Sequence, residues 1–219
     1  VRNKIIQCNA KKIRLIIIRH GETEWNRKEI FRGISDIPLS KNGELQVKKL
    51  ALRLKSIPIS SIYSSRLERA WKTAQIISEN HKPKIIPKID NGLLDINFGI
   101  LTGISHKEAE KKFPIIYKNW FENPEDVNFP GGENLKDVKK RVQETINRIV
   151  KGIDGENVIL VTHHVVIRTI LCHLLNIGLS HFRQFEIHPS SISEARFEHG
   201  RWVLYRINDI SHLLKNNKS

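Results

Sequence analysis

The stretch Ile13-Arg14-Leu15-Ile16-Ile17-Ile18-Arg19-His20-Gly21-Glu22-Thr23-Glu24-Trp25-Asn26 decides how the chain reads. Its first half is apolar and β-branched, the mark of a strand buried in a sheet. Its second half puts a guanidinium and an imidazole where the strand gives way to a glycine-containing loop. Open α/β sheets bind ligands at that place, outside the carboxyl ends of their strands. A cation beside an imidazole there makes an anion site.

The flanking chain supplies the rest of such a sheet. From Ser40 to about Lys55, Val47, Leu50, Ala51 and Leu54 recur at helical spacing, and Pro58 ends the run. Ile59, Ile62 and Tyr63 form a second strand. Ser64-Ser65 lead into a helix with Leu67, Ala70, Trp71, Ala74 and Ile77 on one side and Arg66 and Arg69 in its first turn. Cations there oppose the helix dipole, a misfit that a bound anion resolves. Residues 84–89 read as a brief strand, 105–113 and 115–122 as short helices split by Pro114, and 135–150 as a longer helix. Residues 158–161 are another buried strand, running into Thr162-His163-His164 and a helix through Leu175, so the pattern of the opening stretch recurs. Residues 191–197 and 201–207 form a hairpin through His199-Gly200. Strands alternating with helices predict an α/β fold, a three-layer αβα sandwich with a mainly parallel central sheet. A small helical and loop insertion, residues 104–133, lies over the site. Residues 1–219 read as one domain, with tails at 1–12 and 215–219.

The composition narrows the function classes. The net charge is +14, so the field of the protein attracts anions. The basic residues are spread along amphipathic helix faces (Lys48, Lys49, Arg53; Lys136, Lys139, Lys140) without interleaved aromatics, which disfavours nucleic acid as partner. Cys8 and Cys172 stand far apart, so neither a disulfide framework nor a cysteine metal site is expected. No segment approaches the roughly 20 apolar residues of a membrane span. A soluble, cytoplasmic protein is the expectation, with no membrane partner; a homodimer is left open.

Three polar groups share one topological address. Arg19-His20 follow the first strand, Arg66 and Arg69 the second, and His163 the strand at 158–161. If those strands are parallel neighbours, all gather at one edge of the sheet. Arginine forks and two imidazoles suit a phosphoryl group, since guanidinium pairs bidentately with its oxygens and keeps its charge. One neutral histidine serves as nucleophile, a second, protonated histidine as oxygen ligand, and Asp95, among Leu94, Ile96 and Phe98, as proton donor. No metal or cofactor is required.

Residues 19–26 resemble the signature of the histidine phosphatase superfamily, in the branch that holds cofactor-dependent phosphoglycerate mutases and small phosphatases. Further blocks follow in family order: Phe31-Arg32-Gly33 with Asp36 through Gly43; Tyr63-Ser64-Ser65 with Arg69-Ala70 and Thr73-Ala74; Leu93 to Gly103; and Val161-Thr162-His163 with Arg168. The Phe129-Pro130-Gly131-Gly132-Glu133-Asn134 loop and the ending Ser211-His212-Leu213 are similar to the small phosphatases, α-ribazole phosphatase and metal-independent phosphoserine phosphatase among them. The resemblance implies that His20 is transiently phosphorylated while Arg19, Asn26, Arg69 and His163 hold the phosphate. It selects Arg69 over Arg66. Asp95 falls where the family places its proton donor, usually Glu, a side chain longer by roughly 1.5 Å. His164 stands where Gly is common. Thr23, Gly33, Glu133 and His164 are candidates on the substrate side.

Taken singly, these residues have plainer readings: His20 as a satisfied buried histidine, Arg69 as a helix-surface charge, Asp95 as a cap, His163-His164 as metal ligands. Together they point to a metal-independent phosphatase for a small phosphorylated metabolite. A phosphoglycerate mutase with the same site is the first alternative, and an inactive basic binding protein the second.

Overall fold

Strand β1 (Ile13–Arg19) occupies the middle of the sheet because almost all its side chains are apolar and branched and must be covered on both faces. The computed structural model describes residues 12–153 and 156–214. From β1 the chain continues through α1 (Glu24–Arg27), α2 (Lys41–Leu54), β2 (Ser61–Ser64), α3 (Glu68–Glu79), β3 (Lys88–Ile89), α4 (His106–Lys112) and α5 (Pro114–Glu122). Then follow α6 (Leu135–Gly152), β4 (Asn157–Thr162), α7 (His164–Leu174), β5 (Ile192–Glu198) and β6 (Arg201–Asp209).

The strands lie in the order β3-β2-β4-β1-β5-β6. The first four are parallel, and β5 and β6 add an antiparallel hairpin beyond β1. Side-chain alternation divides each central strand between two cores. Ile16 and Ile18 of β1 and Ile159 and Val161 of β4 pack with Val47 and Leu50 of α2 and Ala74 and Ile77 of α3. Leu15 and Ile17, with Val158 and Leu160, pack with Val138 and Val142 of α6 and Val166 and Ile170 of α7. Each such burial contributes about 1.5–3 kcal/mol. The three-layer αβα arrangement follows.

Some expectations shift. Helix α3 begins at Glu68, so Arg66 stays outside it and exposed while Arg69 is buried. The charge misfit at that helix start therefore belongs to Arg69 alone. Of 84–89 only Lys88–Ile89 pair, since Pro83 and Pro87 interrupt the run. Pro114 opens α5 instead of merely dividing two helices, because its missing N–H costs nothing in a first turn. Helix α1 lies in what reads as a loop. The expected tails, Lys12 apart, lie outside the described residues, as does Cys8. No helix among the described residues is long and apolar enough to cross a membrane.

The loop after β1 is clamped to α2. Ser40 Oγ caps that helix by accepting from Gly43 N–H (3.0 Å) and donates to Glu22 Oε1 (2.9 Å), while Gln46 Oε1 accepts from Glu22 N–H (3.1 Å). Gly43 permits the approach, for a Cβ there would collide with the Glu22 carbonyl.

Candidate active site

Parallel pairing sets Arg19 of β1 opposite Thr162 of β4. The next residues, His20 and His163, therefore emerge side by side at the carboxyl edge, with ring centroids 5.2 Å apart. Backbone bonds fix that corner: His20 N–H donates to Thr162 O (3.0 Å), and Ser190 N–H to the carbonyls of Arg19 and His20 (3.1 Å each). His20 Nδ1 lies 2.6 Å from Gly21 O. A carbonyl only accepts, so Nδ1 carries the proton and Nε2 its lone pair. Nε2 is buried and has no partner.

His163 Nε2 lies 2.9 Å from Ser65 Oγ, at the end of β2. Leu67 N–H donates to that oxygen (3.3 Å), and we assign the hydroxyl proton to His163 Nε2. The imidazole proton is then on Nδ1, which is also buried without a partner. Nδ1 stands 3.8 Å from Asp95 Oδ2. That is no ion pair, because burial and the nearby Arg69 hold the ring well below the ordinary histidine pKa of 6.5, in its neutral form and not the protonated one expected from the sequence.

Arg69 is fully buried and points back from α3 into the corner. It donates to Ser35 O (2.7 Å), Gly33 O (2.8 Å) and Asp95 Oδ2 (3.2 Å). Gly33 has φ +50°, and a Cβ there would press to 2.9 Å from the Ile96 carbonyl, so glycine is what lets its own carbonyl meet the guanidinium. Asp95 follows a short turn (Asn91–Leu93) and accepts from Ile96 N–H through Oδ1 (3.0 Å). Asn26 uses Oδ1 for both the N–H and the hydroxyl of Thr23 (2.9 and 2.8 Å), leaving its amide hydrogens for the cavity it lines.

Among the described residues, five buried nitrogens of this corner have no hydrogen-bond partner: the Nε atoms of Arg19, Arg32 and Arg69, His20 Nε2 and His163 Nδ1. Buried polar groups are nearly always bonded, so such a set makes this corner the candidate seat of a ligand. The charges agree. Burial, then Arg32, push the Arg19 guanidinium down to about 9. Burial, then Arg69, Arg19 and Arg32, hold His20 well below 6.5. An anion would relieve every one of these repulsions.

The adjoining cavity, about 420 Å³, is lined by Arg19, Asn26, Asp95 and His164 among the expected residues. His20, Arg69 and His163 are buried beside it. Thr23 acts through Asn26, and Gly33 through Arg69. Glu133 is elsewhere: it accepts from Arg141 (2.9 and 3.1 Å) and from Asn97 N–H (2.9 Å) and does not line the cavity. The insertion contributes His106, Trp120 and Phe121. Arg32, Ser65 and Arg168 stood in the sequence blocks without a role, and here they join the site. Arg183 carried no sequence signal, since it lies in a short 3-10 helix (Leu179–Gln184) that follows no strand.

A pH dependence follows. His20, His163 and His164 are all depressed well below 6.5 by burial and neighbouring arginines. Below that value the unfolded chain binds protons that the folded one refuses, so stability is complete above about pH 6.5 and is lost as pH falls. The loss is at most about 1.4 kcal/mol per unit per histidine. Urea midpoints at pH 7.5 and 5.5 should show it, and His163→Gln should flatten the slope; an unchanged midpoint would mean the rings are solvated.

Comparison with known proteins bears on the family and the fold. A family model described as histidine phosphatase superfamily (branch 1) matches residues 15–210. Phosphoserine phosphatase 1 of Hydrogenobacter thermophilus is 34% identical over 201 residues, 92% of this chain and 94% of that protein. Phosphoglycerate mutase-like protein 4 of Arabidopsis thaliana is 35% identical over 203 residues, 91% and 86% of the two chains. Among solved structures, a mutant phosphoserine phosphatase of Entamoeba histolytica in complex with phosphoserine superposes with a TM-score of 0.81 at 31% identity, covering 92% of this chain and all (100%) of the other. A match that runs from β1 to the end of β6 takes in every residue of the corner, and the chain belongs to the histidine phosphatase superfamily.

Proposed function

We propose that this histidine phosphatase hydrolyses small phosphomonoesters through a phosphohistidine on Nε2 of His20, without a metal. The observation that carries the reading is the unpartnered Nε2 lone pair among unpartnered arginine nitrogens. Nε2 attacks phosphorus as the P–O bond to the alcohol breaks. Arg19, Arg32, Arg69, Asn26 and Nδ1–H of His163 hold the phosphoryl oxygens, the charge stabilisation on which phosphoryl transfer depends. Asp95 gives its proton to the leaving alkoxide, then takes one from the water that cleaves the phosphohistidine. Orthophosphate and a neutral His20 remain. The segment 104–133 acts as a cap that excludes water. A cytoplasmic setting suits the free, buried Cys172.

Phosphate release from phosphomonoesters in the presence of a chelator, with acid-labile label trapped on His20 from radiolabelled ester, tests the reading; release that depends on added divalent metal would overturn it. Asp95→Asn should lower kcat by about 100- to 1,000-fold for alkyl phosphates. The same variant should lose far less on p-nitrophenyl phosphate, whose leaving group needs no proton. Equal losses on both would remove Asp95 from the acid role.

The likeness to a phosphoglycerate mutase-like protein favours a second reading, in which the phosphoryl group returns to the substrate. Isomerisation of 3-phosphoglycerate in the presence of a bisphosphoglycerate primer, faster than phosphate release, would establish it. The complete donor set gives no support to an inactive binding protein.

A further inference from the structure

Asp95 hangs from irregular chain between β3 and α4, yet every backbone carbonyl from Gly92 to Asp95 is held by a side chain from another element. Thr162 Oγ1, at the end of β4, donates to Leu93 O (2.6 Å). Arg141 of α6 takes the others, Nη1 donating to Gly92 O (2.9 Å) and Leu94 O (2.7 Å) and Nη2 to Asp95 O (3.2 Å). The remaining N–H groups of that guanidinium go to Glu133, Nε to Oε1 (2.9 Å) and Nη2 to Oε2 (3.1 Å). A guanidinium presents its donors in one fixed plane, and here every one has an acceptor.

The loop before α6 closes the clamp from the other side. Glu133 Oε2 also accepts from Asn97 N–H (2.9 Å), and Glu133 N–H donates to Asn97 O (2.8 Å). Gly132 permits this approach, for a Cβ there would come to 2.3 Å from Asn97 O. Farther along the same face of α6, Thr145 Oγ1 and Arg148 Nη2 donate to the two carboxylate oxygens of Asp90 (3.3 and 2.7 Å). Arg141 and Glu133 are half-buried, and neither lines the cavity.

One methylene separates the Asp95 carboxyl from the main chain, so the backbone decides where the carboxyl stands. Arg69 on Oδ2 and Ile96 N–H on Oδ1 fix its rotation, and what freedom is left belongs to the segment that Arg141 holds. Proton transfer tolerates little of it, since a misplacement of about 1 Å can cost on the order of 100-fold. We infer that Arg141 and Glu133 are positioning residues for the proton donor: Arg141 fixes the main chain on either side of Leu93 and at Asp95 itself, and Glu133 orients Arg141, so that the carboxyl meets the leaving oxygen. The inference rests on the phosphatase reading and adds to it two residues that touch neither the phosphoryl group nor the alcohol.

A residue that acts through the acid must share the leaving-group dependence of the acid. Arg141→Gln should lower kcat by about 30-fold for the alkyl phosphate that the protein hydrolyses best, and by less than about 3-fold for p-nitrophenyl phosphate. In the Asp95→Asn background the same substitution should cost less than about 2-fold more on the alkyl ester, because a misplaced acid and a missing one are the same loss. Glu133→Gln, which leaves Arg141 its three carbonyls, should show the same ester dependence at about 5-fold even if the Arg141 variant folds poorly. Equal losses on the two esters, additive losses in the double variant, or no loss in either single variant would overturn the positioning role. If the wild-type protein turns over no ester, the phosphatase reading fails instead. Hydrogen exchange at Ile96 N–H, which binds Asp95 Oδ1, then decides the clamp. Exchange faster in Arg141→Gln there but not in β1 supports it, and a rate unchanged or raised equally in both rules it out.

Discussion

His20→Ala is expected to abolish turnover, by a factor on the order of 10⁴ or more, and to leave no acid-labile phosphoenzyme. Neither imidazole that follows β4 is placed to take over. His163 presents a protonated Nδ1 to the site, its Nε2 being held by Ser65, and His164 begins a different helix position. The fold should survive, because His20 makes one side-chain hydrogen bond, to its neighbour's carbonyl. The measurement is single-turnover phosphate release with circular dichroism as the control for folding. Residual release above a hundredth of the wild-type rate would show that His20 is not the acceptor.

Arg69→Ala should cost both activity and stability. The side chain carries the oxygen ligand with an unpartnered Nε and at the same time ties Ser35, Gly33 and Asp95 together. Removing it leaves the buried Asp95 carboxyl without that hydrogen-bond donor, a defect of about 1–3 kcal/mol. It also removes charge from the transition state, where such an arginine contributes on the order of 10³-fold. Arg69→Lys keeps the charge but cannot reach three acceptors in a fixed fork, so activity should still fall by about 100-fold. Chemical denaturation and kcat/KM for the same preparations separate the two losses. A lysine variant as active as the wild type would reduce the role of Arg69 to its charge.

Much of this was legible in the chain because β1 and β4 are buried on both faces, and a run such as 158–161 has few other fates. Chemistry at a strand end is readable for the same reason: once both strands are parallel neighbours, His20 and His163 must meet. The start of α3 was harder. Arg66 and Arg69 look alike by spacing, and the family resemblance alone selects Arg69; the backbone entry through Leu67 leaves Arg66 solvated and Arg69 buried. Glu133 lies outside the cavity lining, and its pairing with Arg141 on α6 cannot be read from a loop carboxylate in sequence. Arg183 left no trace, since short 3-10 turns have no periodicity and its place depends on α5 reaching across with the Trp120 carbonyl.

The corner proposed to bind the ester also sets a limit on the enzyme. Arg19, Arg32 and Arg69 keep their unpartnered Nε–H groups whether the anion beside them is esterified or free. Orthophosphate, once released from His20, meets the same donors with no alcohol to lose. It is expected to stay, stabilising the folded protein in proportion to its concentration and inhibiting competitively. Under the proposed mechanism product departure is expected to weigh on the rate at saturating substrate, and inhibition by added orthophosphate measures it.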